Sequence, residues 1–212
     1  MSASRREFVG LGLKLAAVSL LAPGALVGCG HAPLSVPPQA PSKGASDPKL
    51  VIQELGDFEC PFCAEVQPVL EQVLDHFGDQ VRIVWRDYPL SHIHPYAMQA
   101  AEAAREVRAQ LGEEGFWRYH HLLFMRQDAL NRQGLESFAR KLGGVDMTRF
   151  AQALDNQTHK AAILAEKAEV DKLGIDRLGT PGFFVGDEVI IGAQPFEAFR
   201  DAIQEQLGKT AG

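Results

Sequence analysis

Cys60 and Cys63, separated by Pro61 and Phe62, are the residues of this chain best suited to chemistry. A cysteine that opens a helix sits where unpaired backbone N–H groups and the helix dipole stabilise a thiolate, the attacking species in thiol–disulfide exchange. Pro61 fits the first helical position, where its missing N–H costs nothing, so Cys60 is placed as the nucleophile. Cys63, one turn later on the same face, can close a small disulfide with Cys60 or resolve a mixed disulfide by attacking it. The pair passes two electrons to or from another protein and needs no cofactor beyond the redox-active Cys60–Cys63 disulfide. Two other uses of the pair compete with this one. A structural bridge over so short a loop removes little unfolded-state entropy, which is a weak reason for having one. Zinc wants four ligands, and the chain has no second cysteine pair, only His92 and His94 after a strand and His120 and His121 on an aromatic-rich helix. Redox chemistry is the favoured reading, and no metal is expected.

The elements around the pair follow from apolar spacing. Leu50–Leu55 is a short apolar-rich run bounded by Gly56-Asp57 and reads as a buried strand. From Phe62 the apolar residues Val66, Val69, Leu70, Val73, Leu74 and Phe77 form a helical stripe closed by Gly78, with a kink expected at Pro68. Val81–Trp85 is a second strand, parallel to the first if the crossover is right-handed. Between Pro95 and Pro181 there is no proline, and the Ala-, Leu-, Glu- and Arg-rich stretch punctuated by glycines predicts several helices over about 95–175. Phe183–Val185 and Glu188–Ile191 flank Gly186-Asp187 as a hairpin, and a last helix opens at Pro195. The order βαβ, helices, ββα is an α/β thioredoxin fold with an all-helical insertion between its halves, and the cysteines fall at its first strand-to-helix junction.

Composition sets the surroundings. The 212 residues are 46% apolar and 23% charged, which suits one globular domain plus extra chain. Residues 1–28 carry a net charge of +2, from Arg5, Arg6 and Lys14 against Glu7, so the overall −6 leaves −8 beyond them, and nucleic acid is not expected as a partner. The one long apolar stretch, Phe8 to Val27, lies against the N-terminus. Ser4-Arg5-Arg6-Glu7-Phe8-Val9 resembles a twin-arginine export signal, and Leu26-Val27-Gly28-Cys29 is similar to a bacterial lipobox. Residues 1–28 are therefore expected to be a signal peptide, with Cys29 the lipidated residue that anchors the chain to a membrane. Residues 29–48 form a Pro-, Ser- and Ala-rich tether holding five of the twelve prolines. It would reach roughly 60 Å if extended as polyproline II. The folded domain is expected over 49–212.

Gly56–Cys63, Tyr88-Pro89-Leu90, His94-Pro95, Gly115-Phe116-Trp117, Leu123-Phe124 and Gly179–Val185 together resemble the DsbA-like thioredoxin-fold disulfide oxidoreductases over roughly residues 49–207. The resemblance implies that Thr180-Pro181 is a cis peptide packed against the cysteines, offering backbone to an incoming polypeptide. It also implies that Glu54 is a buried acid able to relay the proton of Cys63. Asp57 is expected to be a turn residue, His94 a helix-entry residue, and His120-His121 to straddle a surface and a core edge, none of them catalytic. Strongly oxidising members carry histidine where this chain has Phe62, which cannot donate to the thiolate, so a milder oxidant is expected. The implied activity is dithiol oxidation on exported proteins at the periplasmic face of a bacterial envelope, with a membrane partner that resets the site. The alternatives are a reductase or isomerase fed by a membrane donor, or a non-catalytic metal- or peptide-binding lipoprotein.

Overall fold

In the computed structural model, residues 34–38 and 40–210 are described. The export-signal and lipobox residues, Cys29 included, lie outside them. Five strands, β1 (Ser42–Gly44), β2 (Leu50–Gly56), β3 (Val81–Asp87), β4 (Gly182–Val185) and β5 (Glu188–Ile191), form one sheet in the order β1-β3-β2-β4-β5. Only β2 and β3 run parallel, through the crossover helix α1 (Pro61–Phe77). The insertion comprises α2 (Ala97–Met125), α3 (Arg132–Leu142), α4 (Met147–Asp155) and α5 (Lys160–Asp171), and α6 (Phe196–Thr210) closes the fold. This is the thioredoxin-like α/β fold with a helical insertion.

The sheet is buried from both sides. Ile52, Ile83 and Phe183 face Leu70 and Val73 of α1 and Phe199 and Ile203 of α6. Further along that same face Trp85, two residues on from Ile83, meets Phe58 and Phe116, Tyr119 and Leu123 of α2, which the small Ala100, Ala103 and Ala104 let approach closely, while the opposite face packs Leu55 and Phe184 against Val170 of α5. Gly56 is required here, because a β-carbon on it would lie 2.0 Å from the Trp85 ring. The insertion helices are capped locally: Asn131 Oδ1 accepts from Gly134 N, and Asp146 Oδ1 accepts from Thr148 N and Arg149 N. Gly112, with φ +70°, turns α2 out of regular helix midway. α1 continues through Pro68 to Phe77.

The boundary expected at residue 49 is corrected: folded structure begins upstream of it. Ser42–Gly44 pairs antiparallel with β3 and covers the edge of the sheet that β3 would otherwise leave open. Gly44 at φ +104° lies so close to Val81 O that a β-carbon would sit 2.6 Å from it. Further back, Leu34 packs with Leu55, Tyr88, Val170 and Phe184. Gln53 Nε2 donates to Leu34 O at 2.6 Å, while buried Arg86 donates to Ser35 O, Gln53 Oε1 and Glu169 Oε2 at 2.7–2.9 Å. A buried guanidinium needs such partners, so residues 34 and 35 are held to β2, β3 and α5. The segment looked like tether because its prolines and small polar residues give no periodic signal, and its pairing depends on a strand almost forty residues away.

Candidate active site

Cys60 is the residue before α1, with extended backbone (φ −73°, ψ 120°), and Pro61 follows as the first helical residue. Both cysteines are free thiols. Cys63 is fully buried, Cys60 nearly so, while the intervening Phe62 ring is 57% exposed. The Thr180–Pro181 peptide is cis. It sits against Cys60, whose thiol donates to Thr180 O at 3.3 Å.

The two thiols are pushed apart in acidity. The Cys63 thiol donating to Cys60 is the largest influence and brings Cys60 down to about 6; burial opposes it, and the Thr180 hydroxyl and the backbone N–H groups of Cys63 and Phe62 assist. Burial drives Cys63 well above the ordinary thiol value, and the neighbouring Cys60 and Glu54 charges push the same way. Thr180 Oγ1 is buried and has no hydrogen-bond partner among the described residues, which leaves its hydroxyl able to turn toward a Cys60 thiolate. Thr180→Val, which keeps the shape and deletes the hydroxyl, is expected to raise the Cys60 thiol pKa, read as a right-shifted thiolate absorbance titration at 240 nm.

Glu54 lies in the middle of β2, fully buried, with Trp85 and Phe183 as its strand neighbours. Its Oε1 accepts from Gln67 Nε2 at 2.8 Å, and the same nitrogen donates to Cys63 O at 3.0 Å. Its Oε2 has no hydrogen-bond partner among the described residues. Burial raises the carboxyl to about 7, against the lowering influences of Lys43 and Gln67, with Glu71 raising it further. A carboxyl that titrates near neutrality beside a high-pKa thiol is chemically able to take that thiol's proton and return it.

Asp57 does more than turn the chain. Its Oδ1 accepts from Glu59 N at 2.8 Å, while Oδ2 accepts from Leu90 N at 2.9 Å and lies 2.8 Å from His94 Nδ1. This joins the loop after β3 to the strand-to-helix junction. His120 is buried in a cage of Phe58, Trp85, Phe116, Trp117 and Phe124, and burial holds its pKa well below the ordinary value; His121 is exposed. Three residues near the site were not singled out from sequence. Gln67 stands four residues after Cys63, a spacing that places both on one helix face and was legible. Gln127, whose Nε2 donates to Phe58 O and Cys60 O at 2.9 and 2.8 Å, and Lys43 come from distant segments that carry no local signal. Among the described residues, no group of three or more His, Cys, Asp or Glu side chains could hold a metal ion.

A cysteine at a helix N-terminus, a buried partner one turn on and a proline-bearing loop against the first of them are the features of the thiol–disulfide oxidoreductase class on this fold. The thioredoxin family model matches residues 38–205, and the chain belongs to that family. A thioredoxin-like oxidoreductase from Silicibacter pomeroyi DSS-3 superposes with a TM-score of 0.69 at 27% identity, covering 80% of this chain and 92% of that one. A periplasmic thioredoxin-like protein from Salmonella enterica serovar Typhimurium shares the fold, with a TM-score of 0.66 at 23% identity over 82% and 94% of the two chains. The Na(+)/H(+) antiporter NhaA 1 of Salinispora arenicola (strain CNS-205) is 33% identical over 169 residues, 79% of this chain. The chain spans about a quarter of the length of the curated relatives it matches.

Proposed function

We propose that this chain is a thiol–disulfide oxidoreductase of a bacterial cell envelope, anchored by lipid on Cys29, that oxidises dithiols of exported proteins. The observation that carries the reading is the placement of Cys60 at the N-terminus of α1, with Cys63 buried one turn on and Thr180 O 3.3 Å from the Cys60 thiol, an arrangement that lowers the Cys60 thiol and raises Cys63. In the oxidising direction a substrate thiolate attacks Cys60 Sγ of the Cys60–Cys63 disulfide, and Cys63 leaves. Its high proton affinity makes it take a proton at once, from Glu54. A second substrate thiolate then attacks the substrate sulfur of the mixed disulfide and releases Cys60, the better leaving group because it is stable as a thiolate. The substrate loses two electrons, and the Cys60–Cys63 pair gains them. A membrane redox partner returns the pair to the disulfide. Thr180-Pro181 supplies the backbone edge along which the substrate lies.

The envelope location is supported by the export-signal and lipobox resemblances of residues 4–9 and 26–29 and by the periplasmic Salmonella relative. Among the described residues no helix is long and apolar enough to cross a membrane. The direction of electron flow is tested by the reduction potential of the full chain in a glutathione series, read from the emission of Trp85 and Trp117. A value between about −120 and −180 mV fits an oxidase or isomerase, whereas one near −270 mV marks a reductase fed with electrons. Phe62→His, which restores a donor beside Cys60, is expected to raise the potential. An unchanged or lowered value would remove Phe62 as the reason for mild oxidising power.

A further inference from the structure

β1 brings a lysine into the cavity between α1 and α2, where it meets Glu71 and lies alongside Gln67. It is fixed on both sides: Ser42–Gly44 pairs with β3, while Ser42 N donates to Glu113 Oε2 and Trp117 Nε1 donates to Ser42 O, both at 3.0 Å, from α2. The next residue, Lys43, forms an ion pair with Glu71 of α1 and stands 4.9 Å from the Trp117 ring centroid. Its side chain is only 19% exposed, whereas that of Glu71 is 61% exposed. Lys43, Glu71 and Trp117 line a cavity of about 380 Å³ between α1 and α2, and Gln67, which holds Glu54 and Cys63 O together, lines it too.

We propose that Lys43 of β1 is a positioning residue of the exchange site: held by Glu71 and Trp117 in the cavity that Gln67 also lines, it sets the charge on Glu54, the carboxyl that Gln67 holds, and thereby governs proton transfer with Cys63. The proposal rests on the thiol-exchange reading above and adds the N-terminal strand to its machinery. The titratable groups that act on Glu54 are Lys43 from β1 and Cys63 and Glu71 from α1; His120 and His121 of α2 line the cavity with Lys43, and β3 and β4 contribute Trp85 and Phe183 as strand neighbours of Glu54. Lys43 is the only lysine or arginine among the described residues lining the cavity. Lys43 lowers and Glu71 raises the proton affinity of Glu54, so the pair acts as two opposed adjustments of one carboxyl.

The test uses the opposed signs. In the full chain, a mixed disulfide is preformed on Cys60, and the rate at which Cys63 resolves it is followed from pH 5 to 9. Lys43→Met is expected to move the rising limb to higher pH and to slow resolution about three- to tenfold at pH 6.5, a shift of half to one pKa unit. Glu71→Gln, on an exposed side chain, is expected to move the limb the other way, and Lys43→Arg to retain the parent profile. In a Glu54→Gln background neither change at 43 or 71 should alter the profile. Superimposable profiles for Lys43→Met, Glu71→Gln and the parent would overturn the proposal while leaving thiol exchange intact. The same slowing by Lys43→Met in the Glu54→Gln background would also overturn it, by reducing Lys43 to a structural residue. A parent chain that forms no mixed disulfide at all would remove the thiol-exchange reading and this proposal with it.

Discussion

Cys60→Ser is expected to abolish exchange, and Cys63→Ser to leave a protein that captures partners and does not let them go. The asymmetry follows from the environments of the two sulfurs. At pH 7 a thiol titrating at about 6 is roughly 90% thiolate, against about 3% for an unperturbed cysteine. A serine hydroxyl is not ionised at any useful pH, so Cys60→Ser is expected to cut the exchange rate on the order of a thousandfold or more. Cys63 is fully buried and held protonated, so it does not compete for external disulfides; it reaches only the sulfur of Cys60. With serine at 63, Cys60 still attacks a partner disulfide, but nothing resolves the adduct, and non-reducing electrophoresis should show covalent complexes that collapse with dithiothreitol. Alkylation at pH 6.5 should label Cys60 first. Preferential labelling of Cys63, or adducts formed through Cys63 in Cys60→Ser, would reverse the two roles.

What the sequence made legible is what lies close together along the chain. The stripe from Val66 to Phe77 and the apolar runs at 50–55 and 81–85 are local patterns, and they suffice to place Cys60 at a helix N-terminus. The hairpin around Gly186-Asp187 was legible for the same reason, since Gly186 at φ +62° is what its tight turn needs. β1 was not: three residues, Ser-Lys-Gly, hold no alternation, and only the exposed edge of β3 makes them a strand. Lys43 therefore had no visible neighbours, because its relation to Glu54 and Glu71 exists only after β1 is docked. The link from Asp57 to His94 is similar. Each residue reads locally as a turn or a helix entry, and their 2.8 Å contact appears when the loop after β3 folds back over the strand-to-helix junction.

The burial that suits Glu54 to proton transfer must also cost stability. Its carboxyl titrates at about 7 when folded and near the ordinary 4.5 when unfolded. Below pH 4.5 both states are protonated and burial carries no ionic penalty. Between 4.5 and 7 the unfolded chain gives up this proton while the folded one keeps it, so stability falls as pH rises, and above 7 the loss is complete. A shift of about 2.5 units corresponds to roughly 3 kcal/mol at most, since relaxation around the buried carboxylate reduces it. Glu54→Gln keeps an acceptor for the Gln67 amide and cannot ionise. Denaturant titrations should therefore find it more stable than the parent by about 2–3 kcal/mol at pH 8, with the gain vanishing at pH 4. The same variant should resolve mixed disulfides more slowly at neutral pH, because Cys63 would have to give its proton directly to water. A stability gain that persists at pH 4 would show that the substitution acts through packing. A gain confined to high pH together with slowed resolution would tie both effects to one ionisation, a carboxyl retained at the centre of β2 for its chemistry against the interest of the fold.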